Sequence, residues 1–488
     1  MIGYTARDHF VLLPAILTCL FGCAVLLLEF LLPRDRQGRR VLAAISLSGL
    51  AFAAWQLWAQ HAFLGSQQIP VLYAFNGALV LDGFAIFFNS IVIGTAALVM
   101  LISYRYLEDE SELQGEYYAL ILFACCGAYF LSTGLDMVTL FVGLETMAVS
   151  FYVLVGFLRT NRRSNEAAMK YLLLGSFSTG FLIYGFSILY GITGSTNLAV
   201  IAATLQSQNH HGPLLYLALA TTLTGLLFKI GAAPFHMWAP DAYEGAPTTV
   251  TAFLAVASKT ASFAMLLRVL LVAFGGSREM WEPLLIGTAV LSLTIGNLAA
   301  ITQSNIKRLL AYSSIAHAGY LLLGIVAGNE TGLIGISIYL LTYAFMTVGA
   351  FLVLIAMRRK GLACESLDDL AAMGRTHPAF AILMLIFLLS LAGIPPTAGF
   401  IGKYYIFLAL VEAGRYGLAI TGALYVAVSL YYYFRLVRSM FFAETDLPQT
   451  LSTSAGLRIA LAVTAAATIG IGILPEPFLR MAATSLGR

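Results

Sequence analysis

Residues 217–235 read LALATTLTGLLFKIGAAPF. The run is apolar enough for a bilayer, yet it carries Lys229 and then Gly231 and Pro234. On insertion scales a charge at a helix centre costs roughly 2.5–3.5 kcal/mol. Proline removes a backbone donor, and its ring clashes with the preceding turn. The stretch therefore predicts a membrane helix broken beside a buried lysine. Such a break is tolerated at membrane depth only where the freed backbone groups face protein or a water-filled cavity.

A second stretch has the same build. Residues 393–403 read GIPPTAGFIGK and end on Lys403. Two further charges lie in long apolar runs: Glu145 in MVTLFVGLETMAVSFYVLVGF (137–157) and Lys259 in VTAFLAVASKTASFAMLL (250–267). One acid and three lysines on four separate segments point to a polar path through the membrane.

The rest of the chain agrees with a membrane protein. It is 60% hydrophobic and 10% charged, with mean hydropathy +0.86; soluble domains are about 25% charged. Fourteen apolar runs are long enough to span, from 10–32 to 457–475, with the two broken ones at 214–240 and 380–411. The expected fold is an all-α polytopic membrane protein of about 14 transmembrane helices. Long continuous runs exclude a β-barrel, whose strands are short and alternating. The first run lacks a small-residue cleavage site and reads as a retained span. Of the 27 Lys and Arg, 17 fall on one set of loops, 5 on the other, and 5 at or within spans. Under the positive-inside rule both termini face outward.

The chain matches itself at an offset of 168 residues. Ala148, Tyr152, Leu154 and Gly156 fall on Ala316, Tyr320, Leu322 and Gly324; Tyr171 and Thr179 fall on Tyr339 and Thr347; Gly225 and Gly231 fall on Gly393 and Gly399. Each unit holds five spans, and two successive odd units insert with opposite topology, the inverted-repeat arrangement of transporters. The expected organisation is 1–112 with helices 1–3, 113–275 with the first repeat (helices 4–8), 276–445 with the second (helices 9–13), and 446–488 with helix 14. Broken helices 7 and 12 occupy corresponding places.

The buried charges are the candidate site. A buried lysine can lose its proton near neutral pH and arginine cannot. Glu145 is the expected partner of a buried lysine. An ion pair favours the charged forms and burial opposes them, so each charge state depends on their separation. Lys229 and Lys403 sit near the two breaks, and Lys259 has Ser258, Thr260 and Ser262 beside it. His317 is either a satisfied core histidine or a relay between Lys259 and Lys403. Glu166 and Lys170, spaced i, i+4, and Lys307 with Arg308 are weaker candidates, open to a plain reading as an interfacial pair and as positive-inside anchors. Asp82 reads as a helix cap, and the run Glu108, Asp109, Glu110 and Glu112 as a solvated loop. Five cysteines with no C-x-x-C, no haem-attachment motif, no P-loop and no G-x-G-x-x-G after a strand leave no cofactor or metal expected in this chain. From these residues alone a proton pump, a cation/proton antiporter subunit and a membrane scaffold with fixed salt bridges all stay open.

Three stretches narrow this. NIKRLLAYSSIAHAGYLLLG (305–324), FKIGAAPFHMWAPDAYEGAPTTVTAFLA (228–255) and GIPPTAGFIGKYY (393–405) closely resemble the antiporter-like subunits of respiratory complex I. The resemblance covers nearly the whole chain. It implies 14 spans, two inverted five-helix repeats, and a proton-translocating role for Glu145, Lys229, Lys259 and Lys403. One branch of that family has glutamate at the last position, so Lys403 sets this chain apart from it. Another carries a long C-terminal lateral helix, whereas this chain stops at Arg488, soon after the last span. The resemblance also implies NADH, FMN, iron–sulfur clusters and quinone on partner subunits. It further implies neighbouring antiporter-like and small membrane subunits as partners, and no nucleic acid.

Overall fold

The computed structural model describes residues 5–33, 35–110, 115–207, 212–359, 362–445 and 449–486. Helices dominate. α1 (Ala6–Leu31), α2 (Arg36–Gln67), α3 (Gly83–Asp109), α4 (Glu116–Thr133), α5 (Met137–Val155) and α6 (Arg162–Thr193) follow one another with short connections. Between α2 and α3 stands an antiparallel hairpin, β1 (Val71–Ala74) on β2 (Leu79–Asp82). Side-chain caps fix several helix starts by satisfying orphan N–H groups. Asp82 accepts from Ala85 N at 2.8 Å and is the cap expected of it. Asp136 opens α5 in the same way.

The break in the opening stretch is present. α7 (Leu198–Ser207) is short; α8 (Pro213–Lys229) stops at the lysine, and α9 (Trp238–Gly245) resumes after Pro234. Gly231 turns the chain with φ +70°, a left-handed conformation that costs glycine nothing. The Ala232 N–H then reaches back to the Leu227 carbonyl, and the Ala233 N–H donates to Ser292 Oγ at 2.8 Å. Freed backbone groups are thus paired within the protein.

α10 (Thr248–Phe253) and α11 (Lys259–Arg268) form one continuous span with π-helical turns at Leu254–Ser258 and Val269–Ala273. α12 (Arg278–Thr302), α13 (Ile306–Ala327) and α14 (Glu330–Ala356) come next. β3 (Met357–Arg359) and β4 (Leu362–Ala363) then lead through α15 (Met373–Thr376) to the second break. α16 (Pro378–Ala392) ends at Gly393, φ +86°, and α17 (Ala398–Glu412) follows. There the Ile394 N–H reaches back to the Leu389 carbonyl, as Ala232 does to Leu227. These break residues are 162 apart, six fewer than the offset relating Tyr152 to Tyr320. α18 (Tyr416–Phe442), β5 (Thr450–Leu451), α19 (Ala455–Ile473) and α20 (Glu476–Ser485) complete the chain, with β5 and β4 flanking β3.

Among the described residues twelve helices are long and apolar enough to cross a membrane. The expected spans 214–240 and 380–411 are each divided into two shorter helices. A further bend of 118° separates Asp368–Thr376 from α16. Burial sorts the spans. The apolar window of Thr248–Ala273 is 100% buried and those of α13 and α14 are each 94% buried, against 22% for α18. Three spans therefore form the centre, and they carry Lys259 and His317.

The acidic run is not a solvated loop. Glu108 pairs with Arg36 and Arg105, both at 2.8 Å, and Glu110 with buried Arg358 at 2.8 Å. Opposite charges from three elements draw the end of α3 onto β3, which takes these carboxylates out of full solvent. Glu112 and the expected boundary at 112/113 lie outside the described residues.

Candidate functional site

Glu145 and Lys229 meet. α5 and α8 bring the Lys229 ammonium to 3.6 Å from the Glu145 carboxylate. The lysine side chain is buried, at 3% exposure, whereas Glu145 is 27% exposed and opens to one flank of the chain. Thr179 Oγ1 donates to Glu145 at 2.8 Å, and Lys229 Nζ donates to the Tyr152 hydroxyl at 3.3 Å. Tyr152 sits in a cradle left by Gly175: a Cβ there would stand 2.1 Å from its hydroxyl. Its ring meets Tyr171 edge-on at 4.7 Å, and Tyr171 stacks on Trp238 at 4.5 Å. Trp238 Nε1 donates to the Phe228 carbonyl at 2.8 Å, which ties α9 back to the end of α8.

A cavity of about 10 Å³ lies between Lys229 and the next lysine, lined by Lys229, Gly231, Trp238, Ser258, Lys259 and Ser314. That volume is close to the room one water needs, and the lining offers several polar partners. Lys259 donates to both the carbonyl and the hydroxyl of Ser314. The same hydroxyl accepts from Tyr343 at 2.9 Å and lies 3.2 Å from the Tyr243 hydroxyl. No carboxylate stands within ion-pair distance of Lys259 or Lys403 among the described residues, while Glu145 does so for Lys229.

His317 is buried and is bound at both ring nitrogens. Nδ1 lies 2.6 Å from the Tyr339 hydroxyl and Nε2 lies 3.4 Å from the Tyr433 hydroxyl. Its ring centroid is 5.2 Å from that of Tyr343, the partner of Ser314. Lys403, on α17, turns back onto the end of α16. Its ammonium donates to the Leu391 and Ala392 carbonyls at 2.9 and 2.7 Å. A helix C-terminus leaves its last carbonyls unpaired and carries partial negative charge, so a cation is stable there without a carboxylate.

The other two candidates stand apart from this row. Glu166 pairs with Lys170 at 2.8 Å, with side chains 59% and 47% exposed. Lys170 continues to Asp241 at 3.2 Å, and Arg308 binds Asp241 and Glu244 at 2.6 and 3.0 Å. Lys307 is not a surface anchor. It is buried, donates to the Ala246 carbonyl at 2.8 Å and pairs with Glu365 at 3.1 Å. Together these charges clamp α9 to α6 and α13. Ser314, the partner of Lys259, is seven residues further along α13 than Lys307, about 10 Å of helix.

Sequence reasoning missed Tyr152, Ser314 and Tyr343 as members of the site, and with them Tyr320, whose ring centre lies 5.0 Å from the Lys403 ammonium. Tyr152 and Tyr320 were within reach, because they are matched partners in the internal repeat. No group of three or more His, Cys, Asp or Glu that could hold a metal ion occurs among the described residues.

Comparisons with known proteins agree with one another. A family model described as NADH:quinone oxidoreductase/Mrp antiporter, TM matches residues 134–429. The chain is 61% identical over 487 residues, 99% of each sequence, to NADH-quinone oxidoreductase subunit N 2 of Solibacter usitatus (strain Ellin6076). A chain in respiratory complex I from Thermus thermophilus with bound Aureothin superposes with TM-score 0.79 and 33% identity, over 96% of this chain and 99% of that one. A chain of the Mrp complex from Dietzia sp. DQ12-45-1b superposes with TM-score 0.84 and 20% identity, over 99% and 97%, a likeness of fold alone.

Proposed function

We infer the function from family membership: the chain belongs to the NADH:quinone oxidoreductase/Mrp antiporter transmembrane family and, within it, to the subunit N group of NADH-quinone oxidoreductase. It is an antiporter-like, proton-translocating membrane subunit of that oxidoreductase, and a multi-pass protein of the bacterial inner membrane. No redox chemistry is assigned to its own residues. NADH, FMN, iron–sulfur clusters and quinone are assigned to partner subunits. Neighbouring antiporter-like and small membrane subunits are its proposed partners, and both termini are placed on the periplasmic side. Residues 113–275 and 276–445 are proposed as the two inverted units.

The observation that carries the mechanism is the Glu145–Lys229 pair at 3.6 Å, followed by two lysines with no acid beside them among the described residues. With the carboxylate near, a charged Lys229 is favoured; with the carboxylate drawn away, burial favours the neutral amine. The open flank of Glu145 is where a neighbouring subunit acts on the pair. A proton released from Lys229 crosses the small cavity to Lys259, passes Ser314 and His317, and reaches Lys403 before leaving outward. Moving one charge against 100 mV takes about 2.3 kcal/mol. That is under two pKa units at about 1.36 kcal/mol each, a step that separating one buried pair can supply.

The test is Lys229→Ala in the assembled complex, which should abolish NADH-driven proton pumping. Normal pumping in a fully assembled variant would end the relay reading. The other reading, a subunit of a cation/proton antiporter complex, draws on the fold shared with the Mrp chain. Sodium-dependent proton exchange by a complex that does not oxidise NADH would decide for it.

A further inference from the structure

We propose that tyrosine ring faces, rather than carboxylates, hold the charged forms of Lys259 and Lys403: Tyr343 for the first and Tyr320 for the second. The Lys259 ammonium lies 5.2 Å from the centre of the Tyr343 ring, and the Lys403 ammonium 5.0 Å from that of Tyr320. Lys229 has the same arrangement, 5.7 Å from the Tyr152 ring, in addition to its acid. Every lysine-to-ring contact of this kind among the described residues falls on these three lysines; the others are made by arginines. Tyr152 and Tyr320 are also matched by the 168-residue repeat. Each half of the chain thus sets the same tyrosine against its break lysine, although Lys229 precedes its break and Lys403 follows its own.

The chemistry suits a group that must give its proton away. A ring face attracts a cation through its quadrupole within about 6 Å, most strongly when both are out of water. A carboxylate would attract it more strongly, but would be stranded as an unpaired buried charge once the lysine became neutral. A neutral ring is not stranded. At Lys403 the two carbonyls at the end of α16 supply the rest of the stabilisation, and at Lys259 the Ser314 carbonyl does so. Neither group changes charge when the proton leaves.

The inference rests on the reading that these lysines change charge during turnover, and the test separates the two. Tyr320 is the clean position, because among the described residues its hydroxyl makes only a long bond, 3.3 Å, to the Gly422 carbonyl. NADH-driven pumping is measured in membrane vesicles carrying the whole complex. Tyr320→Leu should lose about tenfold in pumping rate and Tyr320→Phe should stay within about twofold of wild type. Phenylalanines of increasing fluorination, placed at position 320 by amber suppression, keep the shape and weaken the ring face. Pumping should fall step by step along that series. A flat series overturns the proposal, and so does Tyr320→Phe as impaired as Tyr320→Leu. If Tyr320→Leu does not assemble, the fluorinated series decides alone. Lys403→Ala is run alongside. Intact pumping there overturns the relay reading beneath the proposal, whereas lost pumping with a flat series overturns the ring assignment only.

Discussion

Ser314 gives Lys259 both its carbonyl and its hydroxyl, so one residue of α13 holds the middle lysine of the row. The hydroxyl also serves Tyr343 and Tyr243. Ser314→Ala leaves two buried tyrosine hydroxyls short of a partner, and each orphaned group costs about 1–3 kcal/mol. The expected outcome is an assembled complex with pumping reduced by about tenfold, a 1.4 kcal/mol effect on the limiting step. Fluorescence quenching in inverted vesicles measures it. Wild-type pumping in Ser314→Ala would remove this serine from the path.

Gly175 exists for Tyr152. A methyl group there would stand 2.1 Å from the tyrosine hydroxyl and 2.7 Å from the ring carbon that bears it. Gly175→Ala should push Tyr152 off Lys229 and impair pumping, at a packing cost of about 1–3 kcal/mol. Adding Tyr152→Phe removes the nearest clashing atom and should restore part of the activity. A double variant no better than the single one would contradict this coupling.

Gly399 is the tightest point of the second break. Its Cβ would meet the Ser390 carbonyl oxygen at 1.9 Å, and its N–H already donates to Ser390 Oγ at 3.0 Å. Backbone cannot swing aside as a side chain does, so Gly399→Ala should lower the amount of assembled complex on native gels. The cost is expected at or above about 3 kcal/mol, the upper end for overpacked sites. Normal assembly would show that the two halves of the broken span can separate freely.

The outlying charges should divide by burial. Exposed ion pairs are screened by solvent and add little to stability, so Glu166→Gln is expected to leave pumping within twofold of wild type. Breaking a buried pair costs about 3–5 kcal/mol, so Lys307→Ala should reduce assembly clearly, and Glu365→Gln less so, since Glu365 is 32% exposed. A pumping defect in fully assembled Glu166→Gln would bring that residue into the relay after all.

The amino-acid pattern made most of this architecture readable, for reasons that differ from one residue to the next. Lys229, Lys259 and Lys403 stood out because hydrocarbon gives a charge no alternative partner. Pro234, Pro395 and Pro396 marked the breaks because proline cannot continue a helix, and Gly231 and Gly393 beside them take the left-handed turns. Lys307 misled because it is adjacent to Arg308 in a basic pair typical of a membrane edge, and only the fold turns one inward to Ala246 and the other towards Asp241. Glu108 and Glu110 misled because their arginine partners, Arg36 and Arg358, are far away in sequence. The tyrosines were hidden by number. The chain has 24, and which of them face an ammonium depends on how α5, α13 and α14 pack against α8, α11 and α17.

The π-helical turn Leu254–Ser258 ends immediately before Lys259. A π turn takes in one residue more than an α turn, and each residue of a regular helix advances the side chains by about 100°. The serine beside it and the lysine itself therefore point where an uninterrupted helix from Thr248 would not aim them. Removing that extra residue would rotate Lys259 by about 100° away from Ser314. Helical phase, set by one amino acid, decides whether the middle of the row faces its neighbours.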